Sequence, residues 1–136
     1  MECIAPPGLW LVLDSSGTRG SLNSLLLRAG YDVRSITGGL TLSALLTSGR
    51  ASALFLGFQK DTISTSVQAT CVAIRQTDPD IPLIVLGPSA DIATKVGLFK
   101  LGADDYIEEP FDAGELVARL RSQIRRRNLN ADRVHI

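Results

Sequence analysis

The 136-residue chain has few of the residues that build metal and redox sites. Its two cysteines, Cys3 and Cys71, match no metal-ligand spacing, and its single histidine, His135, stands next to the end. We therefore expect no metal and no cofactor. The low cysteine content also favours a location in the reducing cytoplasm. The apolar run at residues 9–13 is too short to span a membrane, and no basic residue precedes it as in a secretory signal.

Net charge is also lacking, since 14 lysines and arginines balance 14 aspartates and glutamates. The whole molecule offers no strong field to attract nucleic acid or an anionic membrane, so such a partner would need a local patch. A hydrophobic content of 45% with 21% charged residues is typical of a soluble globular protein. The length fits one domain.

Apolar runs alternate with helical spacings along the chain and predict five strands and five helices. The predicted strands are residues 9–13, 31–36, 51–56, 81–86 and 106–107. The predicted helices are residues 18–29, a helix through Leu42, Leu45 and Leu46, a helix through Val67, Cys71 and Ile74, a helix from Ala93 to Lys100, and residues 116–124. A capping box of Asp112 and Glu115 precedes the last helix.

Five strand and helix units in so short a chain indicate a doubly wound α/β fold with a parallel sheet, because each parallel crossover needs a helix. Function in such sheets lies beyond the carboxyl ends of the strands. The residues at those ends are Asp14, Gly57, Gly87 and Glu109.

The motif Gly102-Ala-Asp-Asp-Tyr-Ile107, followed by Pro110-Phe111 and by 115–120 (ELVARL), resembles the end of a bacterial response-regulator receiver domain. Residues 30–33 and 80–86 are similar to its second and fourth strand regions. The resemblance covers residues 9–127 and implies a (βα)5 sheet of order 2-1-3-4-5. Residues 1–8 would then be a tail, and residues 128–136 the start of a linker to an effector domain.

Receivers accept a phosphoryl group on an aspartate after the third strand, with Mg²⁺, a hydroxyl and a lysine to neutralise its charge. The resemblance places Leu13 and Asp14 at the acidic pair, Gly57 at the acceptor, Gly87 at the hydroxyl and Glu109 at the lysine. Four of these five residues cannot perform the family's chemistry. We therefore predict a pseudo-receiver that is not an enzyme and signals without phosphorylation.

Three alternatives remain open at this site. Asp14 is either a vestigial Mg²⁺ ligand, assisted by Glu109, or a strand-end carboxylate that accepts from nearby backbone amides. Asp61 is the nearest downstream acid that could replace the missing acceptor, although it is more simply a loop acid or a helix cap. A pocket widened by Gly57 and Gly87 could also accept a small metabolite.

Receivers joined to winged-helix DNA-binding domains commonly dimerise through their fourth helix, fifth strand and fifth helix. The resemblance pairs Lys95 with Glu115, and Asp105 with Arg119, across such a dimer. It adds an apolar patch of Val96, Phe99 and Leu116, and Tyr106 as a switch aromatic that we expect packing to hold in place. Alternatively, the four charges are ordinary solvated residues, because surface pairs contribute little singly.

A basic run lies near the end of the predicted last helix and consists of Arg119, Arg121, Arg125, Arg126 and Arg127. The helix dipole and solvent favour arginine there, so a structural role is the simpler interpretation, with nucleic-acid contact or an effector junction as the alternative. We predict a cytoplasmic homodimer that controls an output, expected to be transcription, and reaches DNA only through a further C-terminal domain.

Overall fold

The computed structural model describes residues 8–13, 16–35, 51–57 and 65–134. Its strands are β1 (Gly8–Leu13), β2 (Asp32–Ser35), β3 (Ala51–Gly57), β4 (Leu83–Gly87) and β5 (Asp105–Glu108). Its helices are α1 (Ser16–Arg28), α2 (Thr65–Thr77), α3 (Ile92–Lys100) and α4 (Ala113–Val134). The helix predicted through Leu42, Leu45 and Leu46, like Asp14 and Asp61, lies outside the described residues.

The strands form one parallel sheet in the order β2-β1-β3-β4-β5. This confirms the doubly wound α/β class and matches the strand order that the resemblance implied. The order reverses at β1 and β3, where Leu13 and Gly57 are Cα partners. That reversal is the place where ligands bind in open sheets of this kind.

Alternate residues of the central strands supply two hydrophobic cores, because successive side chains of a strand point to opposite faces. On one face, Leu54 and Val85 join Cys71, Ile74 and Leu98 of α2 and α3. The other core is built from the remaining positions of the same strands and from α1 and α4; it includes Phe55, Ile84, Leu22, Leu26, Leu116 and Leu120. Both faces are covered, which explains why β4 reads as a continuous apolar run.

Helix α4 begins earlier and ends later than the predicted 116–124. Asp112 accepts a hydrogen bond at its Oδ2 from the Glu115 amide at 2.9 Å, so this half of the predicted capping box is present. No glycine or proline follows Ile124 to end the helix. Residues 128–134, predicted as the start of a linker, are therefore helical, and their role as a linker stays a prediction.

Arg75 of α2 ties together the turns that lead into β4 and β5. Its Nε donates to the Gly102 carbonyl at 2.7 Å and its Nη1 to the Ile81 carbonyl at 2.6 Å. Its Nη2 pairs with Asp104 Oδ2 at 2.6 Å, and the same oxygen accepts from the Leu83 amide at 2.8 Å. This network fixes the amino edge of the sheet, opposite the edge where function is expected.

None of the described helices is long and apolar enough to cross a membrane.

Candidate functional site

The carboxyl edge of the sheet brings together the described positions that the resemblance assigned to a receiver's phosphorylation site. Leu13 pairs with Gly57 across β1 and β3, and Gly87 pairs with Glu108 across β4 and β5. The Glu109 amide then donates to the Gly87 carbonyl at 2.8 Å. The peptide bond between Glu109 and Pro110 is cis. Four of the five predicted positions therefore share one edge, and the fifth, Asp14, lies outside the described residues.

The side chains at this edge do not suit phosphoryl transfer. Gly57 and Gly87 are buried and carry no side chain, and Leu13 is apolar. Glu109, which is partly buried, supplies a negative charge where a receiver places a lysine. A carboxylate here repels an incoming phosphoryl group, whereas catalysis of this transfer depends on cations that neutralise its charge.

The same positions do not fit a Mg²⁺ ion. Mg²⁺ prefers carboxylates and phosphate oxygens, and of the four described positions assigned to the phosphorylation site only Glu109 has a carboxylate. Within residues 8–13, 16–35, 51–57 and 65–134, no three acidic, histidine or cysteine side chains are grouped so that they could hold a metal. Both alternatives for Asp14, a vestigial ligand and a strand-end carboxylate, stay untested.

A second surface of interest is formed by α3, β5 and α4, the predicted dimer face. Ile92, Val96 and Phe99 are 80%, 40% and 42% exposed and recur at i, i+4 and i+7. We call these three residues the apolar strip. Leu116, predicted to belong to this patch, is fully buried in the core beneath α4, so that assignment is wrong. The missed member, Ile92, is visible in the sequence from its helical spacing to Val96.

The charges of the dimer face are already paired within the chain. Lys95 Nζ lies 2.7 Å from Glu108 Oε1. Arg119 contacts Asp105 Oδ1 and Glu115 Oε1, both at 2.8 Å. The bond from Lys95 lowers the pKa of Glu108. All these pairs lie within one molecule, and the predicted pairs of Lys95 with Glu115 and of Asp105 with Arg119 across a dimer stay predictions.

Tyr106 is buried between these ion pairs and the sheet, with 6% of its surface exposed. Its hydroxyl donates to the Pro88 carbonyl at 2.6 Å, and Lys95 Nζ lies 5.5 Å from the ring centroid. Burial, followed by the charges of Glu108 and Glu109, raises the pKa of the phenol to about 12. Tyr106 is therefore a packed, neutral hydrogen-bond donor and not part of an exposed contact patch. That it does not switch stays a prediction.

The arginines of α4 do not form one continuous basic surface. Arg119 is held in ion pairs, and Arg127 Nη2 lies 3.5 Å from Asp78 Oδ2. Arg121 and Arg125 are exposed at i and i+4 on one side of the helix, whereas Arg126 belongs to another side. This division favours local roles for the arginines over a single stripe for nucleic acid.

The fold and the receiver-like arrangement of its carboxyl edge agree with comparison to known proteins. The family model of the response regulator receiver domain matches residues 9–121. The chain therefore belongs to the response regulator receiver domain family.

Among similar proteins, the transcriptional regulatory protein PrrA of Mycobacterium tuberculosis is 30% identical over 128 residues, covering 94% of this chain and 54% of PrrA. The response regulator MprA of Mycobacterium ulcerans is 32% identical over 122 residues, covering 90% of this chain and 52% of MprA. The chain thus spans about half the length of the curated relatives it matches. A crystal structure of a response regulator from Chloroflexus aurantiacus is 28% identical with a TM-score of 0.75, covering 88% of this chain and 98% of that one.

Proposed function

We propose that the chain is a pseudo-receiver, a signalling module that controls an output through protein contacts and without phosphorylation. The observation that carries this proposal is Gly57, buried at the end of β3 where the family's phosphoacceptor stands. Leu13, Gly87 and Glu109 support it, because Leu13 supplies no carboxylate, Gly87 no hydroxyl and Glu109 no positive charge. No residue of the edge is assigned a catalytic role.

The output that fits best is control of transcription in the bacterial cytoplasm. PrrA is a transcriptional regulatory protein and MprA a response regulator, and each is about twice as long as the segment it shares with this chain. We propose that DNA is reached through an effector domain attached to this chain or carried by a partner. No membrane contact is part of this function.

Incubation with acetyl phosphate and Mg²⁺, followed by intact mass measurement, tests phosphorylation independence. We expect no phosphoryl adduct, because the edge offers neither an acceptor nor a cation. An adduct on any aspartate, Asp61 included, would refute the proposal. A Mg²⁺ titration of the same sample should give no saturable thermal shift at millimolar levels, and a clear one would show that Asp14 and Glu109 still form a site.

A restored variant provides the matched control. The substitutions Leu13→Asp, Gly57→Asp, Gly87→Thr and Glu109→Lys rebuild the family's residues on the same fold. We expect this variant to take up a phosphoryl group under the conditions in which the natural chain does not. If neither protein is labelled, the assay has failed for this fold; if both are labelled, the proposal is wrong.

We further propose that the module dimerises through the apolar strip and the charges beside it. Three apolar side chains on one helix face are exposed to water, and burying them against a second copy is favourable. The intramolecular pairs of Lys95 and Arg119 can be shared with a second copy, because these side chains are partly exposed. The sequence has no net charge that would keep two copies apart.

Sedimentation equilibrium tests the dimer. Phe99→Glu places a charge at one end of the strip and removes its aromatic side chain, and we expect it to weaken association by about tenfold or more. Leu27→Glu is the matched control, since Leu27 is 52% exposed on α1 and outside the strip. Equal weakening by both variants, or a natural chain that stays monomeric at high concentration, would contradict this interface.

A further inference from the structure

A cavity of about 130 Å³ opens at the amino edge of the sheet, opposite the degenerate phosphorylation site. Its walls come from the end of α2, the turn before β4, the residue before β5, and the Gln123 to Arg127 turn of α4. The cavity is well above the roughly 10–15 Å³ that one water needs, so it can hold a small polar group. At about 3.3 Å per residue, β4 separates it from Gly87 by about 13 Å.

Gln123 is a buried side chain whose hydrogen-bonding capacity is largely unused. Only 8% of the residue is exposed, and an amide offers two donor hydrogens and an acceptor oxygen. Among described residues, its one bond runs from Nε2 to the Asp104 carbonyl at 3.5 Å, the long limit for such a contact. Because buried polar groups are normally satisfied, this amide indicates a missing polar partner in the cavity.

Arg126 supplies the free positive charge. It makes no hydrogen bond or ion pair with any part of the chain that the structure describes. The two other arginines of the wall are already matched, Arg75 by Asp104 at 2.6 Å and Arg127 by Asp78 at 3.5 Å. Gln123 and Arg126 are three residues apart on a helix, so they present their donors to the same side.

Asp80 is the opposing group. Its carboxylate lines the cavity and pairs with no described residue. It reduces the attraction of the cavity for anions but does not neutralise Arg126 by contact. An anion that binds here should therefore bind modestly, and its affinity should rise when the charge of Asp80 is removed.

We propose that this cavity binds a small oxyanion, the phosphate or carboxylate group of a free small molecule, between the Arg126 guanidinium and the Gln123 amide. Guanidinium and amide donors favour this class of ligand, since hydrogen bonds from a charged donor to an oxyanion are the strong ones. The ligand would contact α4, the helix that also carries Arg119 of the dimer face. The proposal does not depend on the loss of phosphorylation.

NMR titration of the 136-residue chain tests the site, with inorganic phosphate and acetate as separate probes and sodium chloride at matched ionic strength as the blank. We expect saturable shifts of the Gln123 side-chain amide and the Arg126 Nε with at least one probe in the millimolar range. The probe that saturates identifies the chemical group. No saturable shift with either probe overturns the proposal.

Three variants locate the binding. Arg126→Gln should weaken it by about tenfold or more, because among the described residues of the cavity wall it removes the one arginine without an ion pair. Asp80→Asn should tighten it. Arg121→Gln, which changes an exposed arginine of the same helix outside the cavity, should leave the affinity unchanged. If Arg121→Gln weakens binding as much as Arg126→Gln, the effect is diffuse charge and the site does not exist.

Discussion

Two arginines of this chain have similar ion pairs but should contribute very differently to stability. Arg75 is 18% exposed and donates at 2.6–2.7 Å to two main-chain carbonyls and to Asp104. Arg119 is 42% exposed and contacts two carboxylates at 2.8 Å. Arg75 belongs to a partly buried hydrogen-bond network, whereas Arg119 is largely exposed to solvent. Removing Arg75 should therefore lower the free energy of unfolding more than removing Arg119.

The magnitude for Arg75→Ala follows from the acceptors that would lose the guanidinium, which are the Gly102 and Ile81 carbonyls and Asp104, although Asp104 keeps its bond from the Leu83 amide. Each unsatisfied buried acceptor costs about 1–3 kcal/mol. Asp104 is 32% exposed, so water restores part of the loss, and we expect about 3 kcal/mol for the three acceptors together. For a domain of this size that corresponds to a fall of about 10–15 °C in Tm. Arg119→Ala should cost about 0.5 kcal/mol, as exposed pairs do.

Urea unfolding followed by circular dichroism measures both variants. Arg75→Lys adds a stringent comparison, because lysine keeps the positive charge but lacks the planar guanidinium that contacts three acceptors at once. We expect it to lose about 2 kcal/mol, most of the effect of the alanine variant. The reasoning is refuted if Arg75→Ala costs no more than Arg119→Ala, or if lysine restores full stability.

Four further substitutions test three separate features. Gly102→Ala should destabilise the fold by about 2 kcal/mol or more in thermal melts, because φ is +119° and the new Cβ would collide with the Arg75 side chain. Gly30→Ala is the comparison; its φ is +96° but the space around it is open, so it should destabilise the fold by only about 1 kcal/mol. Asp112→Ala should cost about 1 kcal/mol through the lost α4 cap, and no change in unfolding free energy would contradict that cap. Because the pKa of Glu108 is lowered in the folded chain, its bond to Lys95 stabilises the fold at pH values above the unfolded-state pKa, and this stabilisation is lost as pH falls through the folded-state pKa. Glu108→Gln should therefore make the free energy of unfolding depend less on pH in the acid range. An unchanged pH dependence would refute this.

The sequence was sufficient for the sheet because β3 and β4 are buried on both faces and carry continuous apolar runs. It was less informative at the end of the chain, where the predicted last helix stopped at Ile124 because its apolar spacing fades there. The structure continues the helix to Val134, since nothing in 125–134 interrupts it. The loss of apolar spacing after Ile124 shows where the helix stops packing against the sheet, and the helix itself can continue beyond that point.

The dimer face shows a second limit of sequence reasoning. The spacing of Leu116 suits a surface patch as well as a core, and only the packing of α4 against β3 and β4 decides between them. Charged partners are harder still, because a local pattern does not show which acid Lys95 contacts within one molecule. The bond to Glu108 depends on how α3 lies across the sheet, and that is tertiary information absent from a local pattern.

The replacements at the carboxyl edge are physically consistent with one another. A buried aspartate at the end of β3 is costly without a compensating cation or hydrogen bonds, since an unpaired buried carboxylate costs several kcal/mol. On the proposed assignment, Glu109 stands at the family's lysine position, so an acid at position 57 would lack that compensation. Gly57 avoids this cost. The proposed losses of the lysine and of the acceptor are therefore energetically consistent, and the contacts of Tyr106, Lys95 and Glu108 would then set the conformation of the dimer face.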